Sequence, residues 1–534
     1  MNYDPFIYRY TSSRNLVYGS RGMVATSNPL AAAAGMDILK RGGNAIDAAI
    51  ATAAALAVVE PISNGLGSDA FAIIWNGGRL HGINGSGRSP ASLSRKMLKS
   101  KGFDGVPRFG WPAATVPGAP GTWAELSSRM GRVPLAEALA PAVEYARGGY
   151  AVSVNVSRFW KRACREFAGL VGAEHAGWHG LFGHGGNAPE PGELFRSPDM
   201  ARTIEAIGAT DSADFYSGET AGEIIKFSDL TGGFFSREDL GAFKPEWVRP
   251  IRVNYKGYDV WEMPPNGQGI VALLALNILS GFDFSRHDSP DTVHKQVEAL
   301  KMGFADAARY VADPSSADMP IDDLLSASYA EARRNEIGSG ASSFASGDPH
   351  SGGTVYLCTA DGEGNMVSYI QSNFRGFGAG IVAPGSGISF NNRGLCFSFA
   401  PGHPNELAGG RRPYNTIMPG FITKDGAPLG PFGVMGAYMQ PQGHVQVVMN
   451  CVDFGMNPQE ALDAPRWQWT GNLGVSFEPG FSNSAVRSIG EMGHDVTVAS
   501  DSYEFGRGQI VWRTQSGGLI GATEPRTDGC VETW

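Results

Sequence analysis

Residues 351–378 read SGGTVYLCTADGEGNMVSYIQSNFRGFG, a linker end followed by two strand-forming runs around a turn. A run of small residues from Gly338 to Gly353, GSGASSFASGDPHSGG, reads as a flexible linker and passes directly into the strand-forming TVYLCTA. Asp361-Gly362-Glu363-Gly364-Asn365 supplies turn chemistry, and MVSYIQS follows as a second strand. The pair reads as a β-hairpin whose first strand opens on Thr354. By itself that threonine is ordinary, because β-branched residues commonly open strands.

Outward from the hairpin, TIMPGFIT and LGPFGVM flank a KDGAP turn, and helices start near His444, Asn457 and Phe481. Towards the N-terminus, Asn28 caps a helix with Pro29 at its first position, and Gly42-Gly43 stops it. Asn44 caps a second, alanine-rich helix with Asp47 in its first turn, closed before Pro61. AFAIIW and RLHGI around Asn76-Gly77-Gly78 form another hairpin. Between Pro90 and Leu325 the chain reads as mainly helical, with Ser236 and Ser289 as caps. Strands in hairpins flanked by helices predict layered α and β with an antiparallel sheet.

The 534 residues carry 43 basic and 52 acidic side chains, a net charge of −9, with 42% hydrophobic and 18% charged residues. That balance excludes a disordered chain and offers no electrostatic footprint for nucleic acid or an anionic membrane. Glycine is frequent at 73 residues, without a G-X-Y period, and signals tight turns and close backbone approaches. The N-terminus shows no secretory pattern, and the longest apolar stretch, Ala45 to Val59, is too short and alanine-rich for a membrane span. Cys164, Cys358, Cys396, Cys451 and Cys530 are scattered, so neither a disulfide framework nor a zinc ribbon is expected. The expectation is a soluble cytoplasmic protein without metal or cofactor.

Two local patterns lead nowhere. Gly65-Leu66-Gly67-Ser68-Asp69-Ala70 has GxGxxA spacing, but a strand follows where a dinucleotide site needs a helix N-terminus. His175, His179 and His184 lie in a glycine-rich stretch that reads as a surface loop rather than a rigid ligand helix.

The run GGTVYLCTADGEGNMVSYIQSNFRGFGAGIVAPGSGISFNNRG, with GNAIDAAIATAAALAVVEP upstream, resembles the γ-glutamyltranspeptidase family over nearly the whole chain, from about Gly22 to ATEPRTDG. The resemblance implies an α+β fold, the four-layer αββα N-terminal-nucleophile (Ntn) hydrolase sandwich, made as a self-cleaving precursor. It places the cut at Gly353–Thr354, giving Met1–Gly353 and Thr354–Trp534, two subunits that remain associated in one intertwined core. The implied chemistry is coherent: Thr354 Oγ attacks the Gly353 carbonyl, and the freed α-amine, of ordinary pKa about 7.7–8.0, serves as base for its own hydroxyl.

By the same resemblance Ser372 hydrogen-bonds the nucleophile, and Gly436-Ala437 offers backbone N–H groups as an oxyanion hole. Ala437 replaces a glycine there, which is harmless if its φ is negative. Arg88 corresponds to the arginine that grips the substrate carboxylate, while Asn415 and Thr416 stand where two serines are usual. After Asn391-Asn392 come Arg393 and, at the position of an ammonium-accepting aspartate, Cys396. The loss of an acid and gain of a guanidinium disfavour a donor with an α-ammonium. The short stretch from Phe397 to Pro413 suggests an unlidded pocket. The branch most similar is that of oxamate amidohydrolase and the acylases. The expected function is hydrolysis, or transfer, of an acyl group carrying a carboxylate from a small-molecule amide. The alternatives are a genuine γ-glutamyltransferase and an uncleaved, silent homologue. The expected partners are the substrate and the paired subunit, with higher oligomers open and neither nucleic acid nor membrane involved.

Overall fold

The computed structural model describes residues 14–343 and 353–534. Gly353–Asp361 pairs antiparallel with Met366–Phe374, the hairpin read from the sequence. It is central in a seven-stranded sheet. Gly22–Thr26 and Cys530–Thr533 lie on one side of it, and Asp69–Asn76, Arg79–Gly85 and Glu246–Val248 on the other. A second seven-stranded sheet runs in the order Val17–Gly19, Leu519–Thr523, Arg507–Arg513, Ala427–Met435, Gly420–Lys424, Tyr258–Glu262, Ile251–Tyr255.

Strand alternation explains how the sheets meet. Tyr356, Cys358, Ala360 and Ile370 leave one face of the hairpin and pack with Phe421, Met435 and Val511 of the second sheet. Gly433 is required at this interface, because a Cβ there would stand 2.6 Å from the Tyr356 ring. The opposite face, including Val355, Leu357, Val367 and Tyr369, packs in the core that holds helix Ala45–Val59. That helix is buried on every side, and its alanines allow it to lie close to the sheet and to helix Pro29–Lys40. Asn44 and Asp47 close a reciprocal capping box at its start. Helices Gly269–Leu279 and Met439–Val452 cover the far face of the second sheet. Helix, sheet, sheet, helix is the expected αββα sandwich.

Three details differ from the sequence reading. The middle region is not purely helical: Glu246–Val248, Ile251–Tyr255 and Tyr258–Glu262 extend both sheets. Their signal was present in the alternating IRVNYKGYDVWE, where Lys256 (φ +48°) and Gly257 (φ +90°) form the left-handed turn of a tight hairpin. The helix expected from His444 begins a turn earlier, at Met439. The linker is anchored at its start: His294 Nε2 meets Gly338 O at 3.0 Å, and Lys301 Nζ donates to Ser342 O at 3.1 Å. Its later part, residues 344–352, lies outside the described residues. Among the described residues no helix is long and apolar enough to cross a membrane.

Candidate active site

The hairpin is bulged at its open end. Gly353 faces Phe374 and Val355 faces Gln371, so Ser372 and Asn373 together oppose Thr354. The extra residue brings Ser372 Oγ to 3.0 Å from Thr354 Oγ1, with Thr354 only 1% exposed. Ser372 Oγ also accepts from the Phe374 N–H at 2.8 Å, while Phe374 itself takes a left-handed φ of +74°. A hydroxyl pair is thus fixed where the linker enters the sheet.

The turn expected to form an oxyanion hole follows strand Ala427–Met435 of the facing sheet. Gly436 has φ +142° and Ala437 φ +49°. The condition for a harmless alanine is therefore not met: Ala437 is left-handed, at a cost of roughly 1–2 kcal/mol. Its carbonyl is held by Gln268 Nε2 at 2.9 Å, which also donates to Thr416 O at 2.6 Å. Gln268 thereby ties the turn to the segment carrying Asn415 and Thr416.

Asp69 organises the rest. Fully buried at the start of strand Asp69–Asn76, it lies in register with Ser372. Its Oδ1 accepts from the Gly87 N–H at 2.9 Å, and its Oδ2 from Arg393 Nε and Asn415 Nδ2, each at 3.0 Å. Burial raises the Asp69 carboxyl above its ordinary range, and the Arg393 charge with these donors pulls it back. Arg393 has no exposed surface, and its Nη1 donates to Thr416 Oγ1 at 2.8 Å. Its guanidinium lies 4.6 Å from the Phe374 ring centroid and interacts with the Cys396 thiol, while Nη2 has no nitrogen or oxygen partner among the described residues. Arg393, Asn415 and Thr416 are thus brought together beside the hydroxyl pair.

Arg88 is engaged differently. Its Nη1 donates to buried Asp313 at 2.6 Å and to Gly410 O at 3.0 Å, and its Nη2 lies 3.4 Å from Glu246. The fork expected to meet a substrate carboxylate already meets two protein carboxylates. Cys396 is buried one turn beyond Arg393, and burial pushes its thiol up despite the nearby positive charge.

Asp69 and Gln268 escaped the sequence reading. An acid opening an apolar strand was a usable signal for Asp69, since such a residue is seldom buried unpaired. Nothing local marks Gln268. The two discarded patterns prove structural. A Cβ on Gly67 would stand 2.2 Å from Ser389 O, so that glycine serves close backbone packing. His175 is buried in a short helical segment rather than a surface loop, with Nδ1 2.8 Å from Gly380 O, and His179 Nε2 meets Leu170 O at 2.8 Å. The side chain of His184 lies outside the described residues.

A family model described as Gamma-glutamyltranspeptidase matches residues 31–534. The glutathione hydrolase-like YwrD proenzyme of Bacillus subtilis is 35% identical over 527 residues, covering 96% of this chain and 99% of its own length. The oxamate amidohydrolase proenzyme of Klebsiella pneumoniae is 31% identical over 526 residues, covering 96% and 98%. Among solved structures, a cephalosporin acylase from Bacillus halodurans superposes with a TM-score of 0.97 at 53% identity, covering 100% of this chain and 99% of the other.

Proposed function

Because this chain belongs to the gamma-glutamyltranspeptidase family, and with it is a self-processing Ntn amide hydrolase, we propose that Thr354 is its nucleophile and a carboxylate-bearing acyl amide without an obligatory α-amine its donor. Thr354 Oγ attacks the Gly353 carbonyl, the Gly353–Thr354 amide bond breaks as an ester forms, and water hydrolyses the ester. Glycine at the scissile carbonyl imposes no Cβ on the turn this requires. The products are Met1–Gly353 and Thr354–Trp534. They stay intertwined because strand Gly353–Asp361 lies between Gly22–Thr26, from the first product, and Met366–Phe374.

In the mature enzyme the new α-amine takes the Thr354 hydroxyl proton as the oxygen attacks the substrate amide. Ser372 holds that oxygen in place, and the N–H groups of the Gly436-Ala437 turn receive the developing oxyanion. The amine departs with a proton, leaving an acyl ester on Thr354, which water hydrolyses. Unpaired cysteines throughout suit a reducing, cytoplasmic setting.

Arg393 carries the substrate reading. A buried guanidinium whose Nη2 has no nitrogen or oxygen partner among the described residues, two residues of contact away from Thr354, suits a carboxylate. Arg88, clamped by Asp313 and Glu246, supports the rim of the same site through its neighbour Gly87. An α-ammonium would meet Arg393 with both Asp69 oxygens already bonded and Cys396 where an acid is needed. The test compares kcat/KM for glutaryl and γ-glutamyl anilides after mass spectrometry has established two fragments. Preference for glutaryl supports the reading. Preference for γ-glutamyl favours a transferase-type donor, and an uncut, inactive chain removes the enzyme reading of this site.

A further inference from the structure

Between the Ala437 turn and the Arg393 turn lies a cavity of about 320 Å³ that the proposed chemistry does not use. Cys396 opens onto it from the same short turn, Arg393–Cys396, that carries the guanidinium. Tyr438, which directly follows Ala437, forms part of its wall. Four further aromatic rings, Phe304, Phe397, Tyr414 and Trp469, line it as well. Phe304 lies 5.4 Å from Trp469 and 6.3 Å from Tyr438, and Tyr414 stacks on Tyr438 at 6.2 Å between centroids.

The polar groups around the cavity are spoken for. His403 Nε2 meets Ala308 O at 3.0 Å, and its Nδ1 accepts from the Asn405 N–H at 3.0 Å. Asn405 Nδ2 donates to Cys396 O at 2.7 Å, and Tyr414 Oη donates to Gln268 Oε1 at 3.2 Å. No carboxylate, lysine or arginine lines it among the described residues, and both ring nitrogens of His403, its one histidine, are already bonded to the backbone. Burial holds the Cys396 thiol neutral. A cationic substituent entering here would lose water without gaining a counter-ion, with Arg393 adjacent to repel it.

We propose that this cavity binds an apolar, aryl-sized group borne on the acyl carbon next to the carboxylate that Arg393 grips. The inference rests on the reading of Arg393 given above. It deepens that reading: the donor is a substituted dicarboxylic monoamide, with carboxylate on Arg393, scissile carbonyl on Thr354, and the substituent directed past Cys396 between the rings. Burying a ring there excludes water from the site and positions the scissile bond.

The test uses the mature enzyme and three anilides: glutaryl, glutaryl carrying a benzyl group on the carbon beside the free carboxylate, and γ-glutamyl. The benzyl compound should exceed plain glutaryl in kcat/KM by about 10- to 100-fold, the range set by burial of added apolar groups. Ala308→Trp, which fills the cavity from helix Pro290–Tyr310, should abolish that advantage and change plain glutaryl turnover less than about 3-fold, because the unsubstituted donor places nothing in the cavity. Should that variant fail to fold, inhibition of the wild type by benzylglutarate against glutarate gives the same comparison. Turnover of glutaryl with no benzyl preference, or equal losses in Ala308→Trp for both donors, overturns the cavity assignment while leaving the proposed function standing. Preference for γ-glutamyl, or turnover of none of the three, overturns both.

Discussion

Arg393 Nε donates to Asp69 Oδ2 at 3.0 Å, across 324 residues of chain and with neither side chain exposed. The contact joins a strand of the first sheet to the turn after Asn391-Asn392. It holds the guanidinium over Phe374, whose N–H is bonded to Ser372. One ion pair thus positions the proposed carboxylate grip relative to the proposed nucleophile.

Breaking that pair on one side should be severe. Asp69→Asn leaves a buried guanidinium uncompensated, and is expected to cost about 3–5 kcal/mol by denaturant unfolding. The double variant Asp69→Asn with Arg393→Met should lose less than the sum of the single changes, because the two groups share one network. Strict additivity would mean that the pair is not coupled in solution.

Processing is read on a gel. Thr354→Ala should remain a single chain of full length and hydrolyse no amide. Thr354→Ser should still cut itself, more slowly, because it keeps the hydroxyl and the future amine. A two-band pattern in Thr354→Ala would remove Thr354 from the chemistry.

Arg88 and Arg393 should separate kinetically. In an Asp69→Asn background, where no buried carboxylate is left unpaired, Arg393→Met is expected to raise KM for a glutaryl anilide by about 30-fold or more and to affect its uncharged amide analogue far less, as for a desolvated charge pair broken on one side. Arg88→Ala is expected to affect both donors alike, since its guanidinium is already paired with Asp313 and Glu246. The opposite pattern would return the carboxylate to Arg88.

Ala437→Gly tests the left-handed turn. At φ +49° an alanine is strained, and glycine relieves this while adding freedom to the unfolded chain. The net expectation is a gain of up to about 1 kcal/mol, with kcat retained. A loss of more than about 1 kcal/mol would show that the turn is held in another conformation.

Stability should also depend on Glu60. Burial raises its carboxyl from 4.5 to about 7, against a hydrogen bond from Ser27 at 2.5 Å and the charge of Arg507. The folded state therefore holds this proton more tightly than the unfolded state. Its contribution is fully present below about pH 4.5 and is lost as pH rises through about 7. The span is on the order of 3 kcal/mol at most. In Glu60→Gln the unfolding free energy should be flatter across that window; an unchanged slope would place the linked proton elsewhere.

The features legible in the sequence are those that neighbouring residues specify. Asn28, Asn44, Ser236 and Ser289 cap helices because a side-chain oxygen reaches an N–H two or three residues on. The 353–374 hairpin follows from alternation and a glycine turn, and IRVNYKGYDVWE carried an equal signal for the strands of the middle region. The family resemblance of the stretch around Thr354, the proposed nucleophile, was legible for the same reason, being contiguous. Tertiary structure decided what lies between segments. The bulge turned Ser372 towards Thr354, Gln268 set the Ala437 turn, and Asp69 captured Arg393, while Arg88 was taken by Asp313 and Glu246. A buried charge accepts whichever partner the packed layers bring within hydrogen-bond reach, and that choice depends on distances the chain acquires only when both sheets have closed.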